Sequence, residues 1–513
     1  MQIPSSVWPA LLLSSLWILG SGAAVANAQA SSDAPAASDA GDPERPHILI
    51  LLADDLGWKD VSYHGSEIRT PQIDRIAREG LELDRFYVQP ICSPTRTALM
   101  TGKSPMTMGI ELPIAKTETL GLPLEETLLP EHLARLGYQS VMSGKWHLGH
   151  YLPDYFPGSR GFESYYGHVT GGIGYWDHNH GGGHDWQRDG KTLREDGYTT
   201  HLIADEAIRL VEARDQTRPL FLYVAFNAPH LPNEAPIEAL DRYASIADIG
   251  RRTHAAMVDE MDRAIGRILA SFEAEGLLEN TLVLFSSDNG GIVDDSSPPA
   301  LRSASEFLVG ILGRPLPIAS LEFLATNTLD GRSNNDPLPS GKGSVSEGGA
   351  RVPAALWWPG RLEGGTHEGI MTISDVLPTL LEAVGAADAT PDDLDGRSQW
   401  AALNGDGSGS ETPDYVTTGF DGPALYRAPW KLHEGDPPRL YDILADPYEE
   451  NDLASDHPEI VAEMTATLDA WPRGTPMTHK LWHTLFDPDS FGGPEDRAPW
   501  ADVAWENAAE NAQ

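Results

Sequence analysis

The sequence has one cysteine, Cys92, in 513 residues. A single thiol cannot pair within its own chain, so no disulfide framework supports this fold. Cations are scarce as well: 36 Lys and Arg stand against 76 Asp and Glu, a formal net charge of −40. That balance argues against nucleic acid or an anionic membrane as partner, because both are bound through basic surface. It also sets a condition on any anionic substrate, whose site must gather local cations against the field of the whole molecule. Beyond the N-terminus no apolar run reaches the ~18 residues needed to cross a bilayer, so no stable membrane anchor is expected. Internal repeats are absent, which sets aside solenoids and propellers.

What is present reads as an ordinary globular chain, 41% apolar and 22% charged, long enough for a large domain and a smaller one. Its 50 Gly and 40 Pro are spread among periodic segments and indicate long loops rather than disorder. An apolar stretch from Trp8 to Gly20 leads to small residues ending Ala26-Asn27-Ala28. This reads as a signal peptide over residues 1–28, although no basic residue precedes the apolar part. Export to a periplasmic or secreted location follows. No cysteine comes after the apolar stretch, so a lipid anchor there is not expected. Residues 29–45 are small, polar and Pro-rich, and read as a disordered leader.

From residue 46 a pattern of short apolar runs and helical spacing begins. HILILL (47–52), YQSVMSG (138–144), PLFLYVAF (219–226) and TLVLFSS (281–287) read as buried strands. Between them, 73–80, 127–137, 199–214 and 248–276 carry helical periodicity. Such alternation predicts an α/β architecture with a mostly parallel sheet flanked by helices. Residues 292–340 read as a long loop-rich insertion. The composition changes near 411, where short strands and a final helix at 458–471 predict a smaller α+β subdomain over 411–480. A tail of little signal covers 481–513.

Chemistry-capable residues follow the predicted strands: Asp54 and Asp55, Lys145 and His147, His230, Asp288 and Asn289. In open parallel sheets the carboxyl ends of the strands share one edge, and ligands bind there. Asp54, Asp55, Asp288 and Asn289 are hard oxygen donors suited to Ca²⁺ or Mg²⁺. Either pair alone is an ordinary turn sequence; their matched positions favour a site. Lys145 and His147 share one side if the segment is extended. With His230 and with Lys342, in a Gly-rich loop, they would supply the positive charge an anion requires. Each residue taken singly is as well explained by a solvated surface.

PICSPTR (90–96) precedes an apolar spacing that suggests a helix starting near Cys92–Pro94. A helix N-terminus attracts anions and would lower a thiol pKa, which suits a nucleophile. Most free cysteines are instead small buried apolar groups, and spacing leaves both readings open.

Cys-x-Pro-x-Arg followed by Thr101-Gly102-Lys103 resembles the signature of the type I, formylglycine-dependent sulfatase family. LLADDLGW, GKWHLG, NAPH, SSDNGG and GKGSVSEGGARVP resemble further blocks of that family, in its order, and LYDILADPYEENDLA (440–454) resembles its C-terminal motif. The resemblance runs from about 46 to 475 and is nearest the arylsulfatase B-like, glycan-sulfatase branch. It implies an alkaline-phosphatase-like catalytic domain over 46–410 and hydrolysis of sulfate monoesters, on a glycan. It implies conversion of Cys92 to formylglycine by a formylglycine-generating enzyme. It further implies one Ca²⁺, preferred over Mg²⁺, held by Asp54, Asp55, Asp288, Asn289 and the modified Cys92. Arg96 would orient the formylglycine, Lys145 and Lys342 hold sulfate oxygens, His147 assist the formylglycine chemistry and His230 protonate the leaving oxygen. The stretch HVTGGIGYWDHNHGGGHDW (168–186) is a sugar platform or a polar loop. Two rivals stand beside the sulfatase reading: a phosphomonoester or phosphonate hydrolase of the same superfamily, and a secreted glycan-binding protein with a dead site.

Overall fold

The computed structural model describes residues 45–472 except 116–117, 182, 295, 318 and 407–412. The expected signal peptide, leader and tail, and the expected boundary near 410, lie outside the described residues. Among the described residues, twelve strands precede the small C-terminal sheet. They are β1 (His47–Ala53), β2 (Leu81–Tyr87), β3 (Gln139–Lys145), β4 (Ser164–His168), β5 (Asn179–His180), β6 (Gly183–His184), β7 (Gln187–Arg188), β8 (Lys191–Thr192), β9 (Leu220–Ala225), β10 (Thr281–Ser287), β11 (Ala354–Trp357) and β12 (Gly365–Thr372). Ten of them form one sheet in the order β12-β2-β11-β10-β1-β9-β3-β4-β7-β8, and β5 pairs with β6 in a separate ribbon.

The middle of the sheet is parallel. β1 lies between β10 and β9, β9 also pairs with β3, and β3 with β4. All seven residues of β1 are buried, as expected of a central parallel strand covered on both faces. Its side chains alternate. Ile48, Ile50 and Leu52 enter one apolar layer with the helices Cys92–Thr101 and Val376–Ala383. Leu49, Leu51 and Ala53 enter the other with the helices Thr199–Glu212 and Ile249–Ala274. The antiparallel contacts of β11 with β10 and β2, and of β7 with β4 and β8, make the sheet mixed toward its edges.

A second, antiparallel sheet of β13 (Tyr415–Gly419), β14 (Gly422–Arg427), β15 (Trp430–His433) and β16 (Arg439–Asp442) packs with the helix Pro458–Ala470. It is tied to the main body by a buried ion-pair network. Lys431 lies 2.9 Å from Glu347 and 2.8 Å from Glu449, and Tyr87 donates to Glu347 at 2.8 Å.

The 292–340 segment departs from the loop-rich expectation: it contains the helices Pro299–Leu312 and Ala319–Leu329. Pro299 opens the first, and Gly313, at φ 74°, closes it. The flanking Asp, Ser and Pro residues hid this periodicity. No helix among the described residues is long and apolar enough to cross a membrane.

Candidate functional site

Strand order brings the expected residues together. Asp54 and Asp55 follow β1, Asp288 and Asn289 follow its neighbour β10, and His230 follows β9 on its other side. Lys145 is the last residue of β3, one strand further on. Four adjacent parallel strands therefore deliver these side chains to one edge. Cys92 opens the helix Cys92–Thr101 and is buried. The Lys342 loop is fastened beside it, because the Gly343 N–H donates to Pro90 O at 2.8 Å.

Side-chain contacts close the cluster. Arg96 donates to Asp288 Oδ2 from Nε at 2.9 Å and Nη2 at 2.8 Å, and to Lys145 O from Nη1 at 2.8 Å. Lys145 Nζ lies 2.6 Å from Asp54 Oδ2, and Lys342 Nζ lies 2.7 Å from Asp55 Oδ1. Asn289 Nδ2 donates to Asp55 Oδ1 at 2.7 Å, and His230 Nε2 stands 3.6 Å from Asp55 Oδ2. Lys103, in the same motif as Cys92, is not part of this group and pairs with Glu126 and Asp393.

The electrostatics are those of crowded, buried carboxylates. Burial and then the Asp288 charge push the Asp54 carboxyl well up, although Lys145 opposes them. Burial also raises Asp55, but Lys342, His230 and Lys145 outweigh it and hold its carboxyl low. Asp54 Oδ1 and Asn289 Oδ1 are buried with no hydrogen-bond partner. Ligand atoms of Asp54, Cys92 and Asp288 lie within 4.8 Å of one another, as do those of Asp54, Asp55 and His230. Orphaned hard oxygens beside mutually repelling carboxylates fit a bound divalent cation of the Ca²⁺ or Mg²⁺ class.

One open reading is narrowed and one expectation changes. Burial pushes the Cys92 thiol up despite Lys145 and Lys342, which favours the buried small group over a thiol of lowered pKa. Lys145 and His147 do not share a side through strand alternation, because β3 ends at Lys145 and His147 takes a left-handed conformation, φ 60°. Asp55 is left-handed too, at φ 69°. Such residues cost about 1–3 kcal/mol and persist where the surroundings over-determine them.

The two imidazoles are oriented differently. His147 Nε2 lies 3.3 Å from Ile114 O, which leaves Nδ1 buried and without a partner. His230 Nδ1 lies 2.6 Å from Leu231 O, which directs Nε2 at Asp55. Burial lowers both pKa values well below the ordinary range, assisted by Lys145 for His147 and by Lys342 for His230. Gly171 and Gly172 press onto these rings. A Cβ at Gly171 would lie 2.6 Å from His147 Cε1, and one at Gly172 would lie 2.8 Å from His230 Cε1.

Sequence reasoning missed several neighbours. His168 ends β4 opposite Lys145 and keeps a buried, unpartnered Nε2. The same strand-end rule would have found it. Asp421, in the β13–β14 turn, accepts from Ser344 Oγ at 2.6 Å and from Val345 N–H at 3.0 Å, and so grips the Lys342 loop. No local signal connects residues 77 and 76 positions apart.

The chain is similar to known proteins over most of its length. The family model described as Sulfatase matches residues 46–386. Mouse arylsulfatase J is 32% identical over 498 residues, covering 85% of this chain and 77% of the mouse protein. Human N-acetylgalactosamine-6-sulfatase is 33% identical over 380 residues, covering 69% of this chain and 65% of the human protein. The crystal structure of Ps i-CgsB in complex with k-i-k-neocarrahexaose superposes with a TM-score of 0.72 at 28% identity, covering 86% of this chain and 98% of that one.

Proposed function

The chain belongs to the sulfatase family and is a sulfuric ester hydrolase, and from that premise we propose that it removes sulfate from a glycan with formylglycine at Cys92 and one bound Ca²⁺. The observation that carries the site assignment is the meeting of Asp54, Asp55, Asp288 and Asn289 with Cys92, Lys145 and Lys342 at one sheet edge. The glycan is supported by the relatives, one named for N-acetylgalactosamine 6-sulfate and one solved with a neocarrahexaose.

Asp54, Asp55, Asp288 and Asn289 would hold the ion, with the residue at 92 completing its shell. The ion would supply charge neutralisation at the sulfuryl oxygens, and the modified residue, as a hydrated aldehyde, would supply one hydroxyl as nucleophile and a second whose collapse to the aldehyde releases the sulfate. Arg96 fixes Asp288 and the end of β3 in one bond set, so it orients both the acidic cluster and Lys145. Lys145 and Lys342 stand on the cluster's carboxylates and would hold sulfate oxygens once the ion takes over those carboxylates. His147 offers Nδ1 as a base. His230 presents Nε2 to the site; with Nδ1–H held by the Leu231 carbonyl, Nε2 would first take up a proton and then pass it to the departing alcohol.

The apolar N-terminal stretch supports export, and the fate of Cys92 calls for a formylglycine-generating enzyme as maturation partner. Comparative turnover of 4-nitrophenyl sulfate, 4-nitrophenyl phosphate and sulfated oligosaccharides tests the reading. Sulfate is expected to be strongly preferred; a strong phosphate preference would overturn it.

A further inference from the structure

The loop after β4 forms a polar concavity. Its cup of about 350 Å³ is lined by Trp176, Asp177, Asn179, Arg194, Glu195 and Asp196, among others. Trp176 is half exposed, yet its ring is not loose: it leans on Tyr198 with centroids 5.1 Å apart. Tyr198 in turn stacks on Tyr175 at 5.2 Å. The Tyr175 hydroxyl lies 2.8 Å from the carbonyl oxygens of both Asn227 and His230. One stack of rings therefore joins the cup to the backbone of His230.

The lining is unspent. Among the described residues, the side chains of Trp176, Asn179, Arg194 and Asp196 make no hydrogen bond or ion pair with protein. Glu195 is partly used, accepting from Tyr166 and Trp186, and Asp177 accepts from the Asn179 N–H. An indole with an exposed face, ringed by free amide, guanidinium and carboxylate groups, matches a sugar. The C–H face of the ring covers the indole, and the hydroxyls bridge the polar rim. The charge balance narrows the choice. Asp177, Glu195 and Asp196 face one guanidinium and the imidazoles of His178 and His184, so at a pH above the ordinary imidazole range a sulfated or carboxylated ring would meet net repulsion while an uncharged one would not.

We propose that the Trp176 cup is a subsite for an uncharged sugar unit of the substrate glycan, selecting chains in which an unsulfated residue accompanies the sulfated one. This rests on the glycan-sulfatase reading above. The substrate's charged end then goes to the lysines, and its neutral part goes to a surface whose acidity disfavours a second sulfate.

The test compares the mature enzyme with Trp176→Ala, Trp176→Phe and Asp196→Lys on three probes. They are 4-nitrophenyl sulfate, which carries no sugar unit to fill the cup, κ-neocarrahexaose, in which sulfated and uncharged units alternate, and ι-neocarrahexaose, in which every unit is sulfated. Binding of the hexaoses is read by calorimetry, and turnover of the aryl ester by absorbance. Trp176→Ala is expected to weaken κ-neocarrahexaose about tenfold, the range of one aromatic contact, and Trp176→Phe to recover most of that. Turnover of 4-nitrophenyl sulfate should stay within about twofold throughout, since no catalytic group is altered. Wild type should favour κ over ι, and Asp196→Lys should narrow that gap. Three results would each overturn the subsite: an unchanged hexaose affinity in Trp176→Ala, a gap insensitive to Asp196→Lys, or no hexaose binding at all. A wild type that leaves 4-nitrophenyl sulfate intact would strike the sulfatase chemistry itself, which separates the two failures.

Discussion

Replacing Arg96 by Met removes a buried cation while keeping much of its volume. Arg96 and Asp288 are both fully buried, and their ion pair is made through two nitrogens on one carboxylate oxygen. A third bond goes to the Lys145 carbonyl. Removing one partner of such a pair leaves an uncompensated buried charge and costs about 3–5 kcal/mol. With a urea slope on the order of 3 kcal/mol per M for a chain of this size, the unfolding midpoint should fall by roughly 1–2 M. The assay is urea unfolding followed by tryptophan fluorescence in the presence of chelator, so that a bound cation does not offset the loss. Adding Asp288→Asn to Arg96→Met should recover part of the stability, because the stranded charge is then gone. A midpoint shift under about 0.3 M for Arg96→Met would refute the reasoning, since it would mean that Asp288 carries no buried charge in need of Arg96.

Asp288→Ala should abolish both calcium binding, read by calorimetry, and sulfate-ester turnover; full activity retained in chelator would contradict the cation assignment. Asp421→Ala should loosen the Lys342 loop and lower kcat/KM for 4-nitrophenyl sulfate about tenfold, the effect of losing about 1.4 kcal/mol of positioning, with the far-ultraviolet spectrum unchanged. Asp60 is buried against His254 and Arg251, and these partners outweigh burial and hold its carboxyl down to about 2. A depressed carboxylate pKa contributes stability that is complete above the unfolded value and lost as pH falls through the folded one. Unfolding midpoints should therefore drop between about pH 4 and pH 2, and Asp60→Asn should flatten that drop while lowering stability at neutral pH.

Much of the site was legible because strand ends are legible. Apolar runs such as HILILL and TLVLFSS mark central parallel strands, and polar residues immediately after them must emerge at one edge. That rule gathered Asp54, Asp55, Lys145, His230, Asp288 and Asn289 without any knowledge of strand order. It did not reach features that depend on tertiary context. The raised Cys92 thiol comes from burial, which a helix-start motif does not display. The left-handed turn at His147 replaces the extended geometry its spacing suggested. β2 and β12 went unread because charged and small residues break up their apolar pattern, and β11 because its four residues, Ala-Ala-Leu-Trp, are too short a run to show a period. The two helices of the 292–340 segment were hidden by polar flanks, and their apolar residues Phe307, Ile311 and Leu312 remain more than half exposed. The Asp421 contacts exist only once a distant hairpin is folded against the lysine loop.

The most direct test of the whole account is the mass of the proteolytic peptide spanning Cys92, taken from protein of known specific activity toward 4-nitrophenyl sulfate. The account predicts a peptide in which sulfur and two hydrogens have been exchanged for one oxygen, in a fraction that rises with specific activity across preparations. Fully active protein carrying only the unmodified thiol would contradict it.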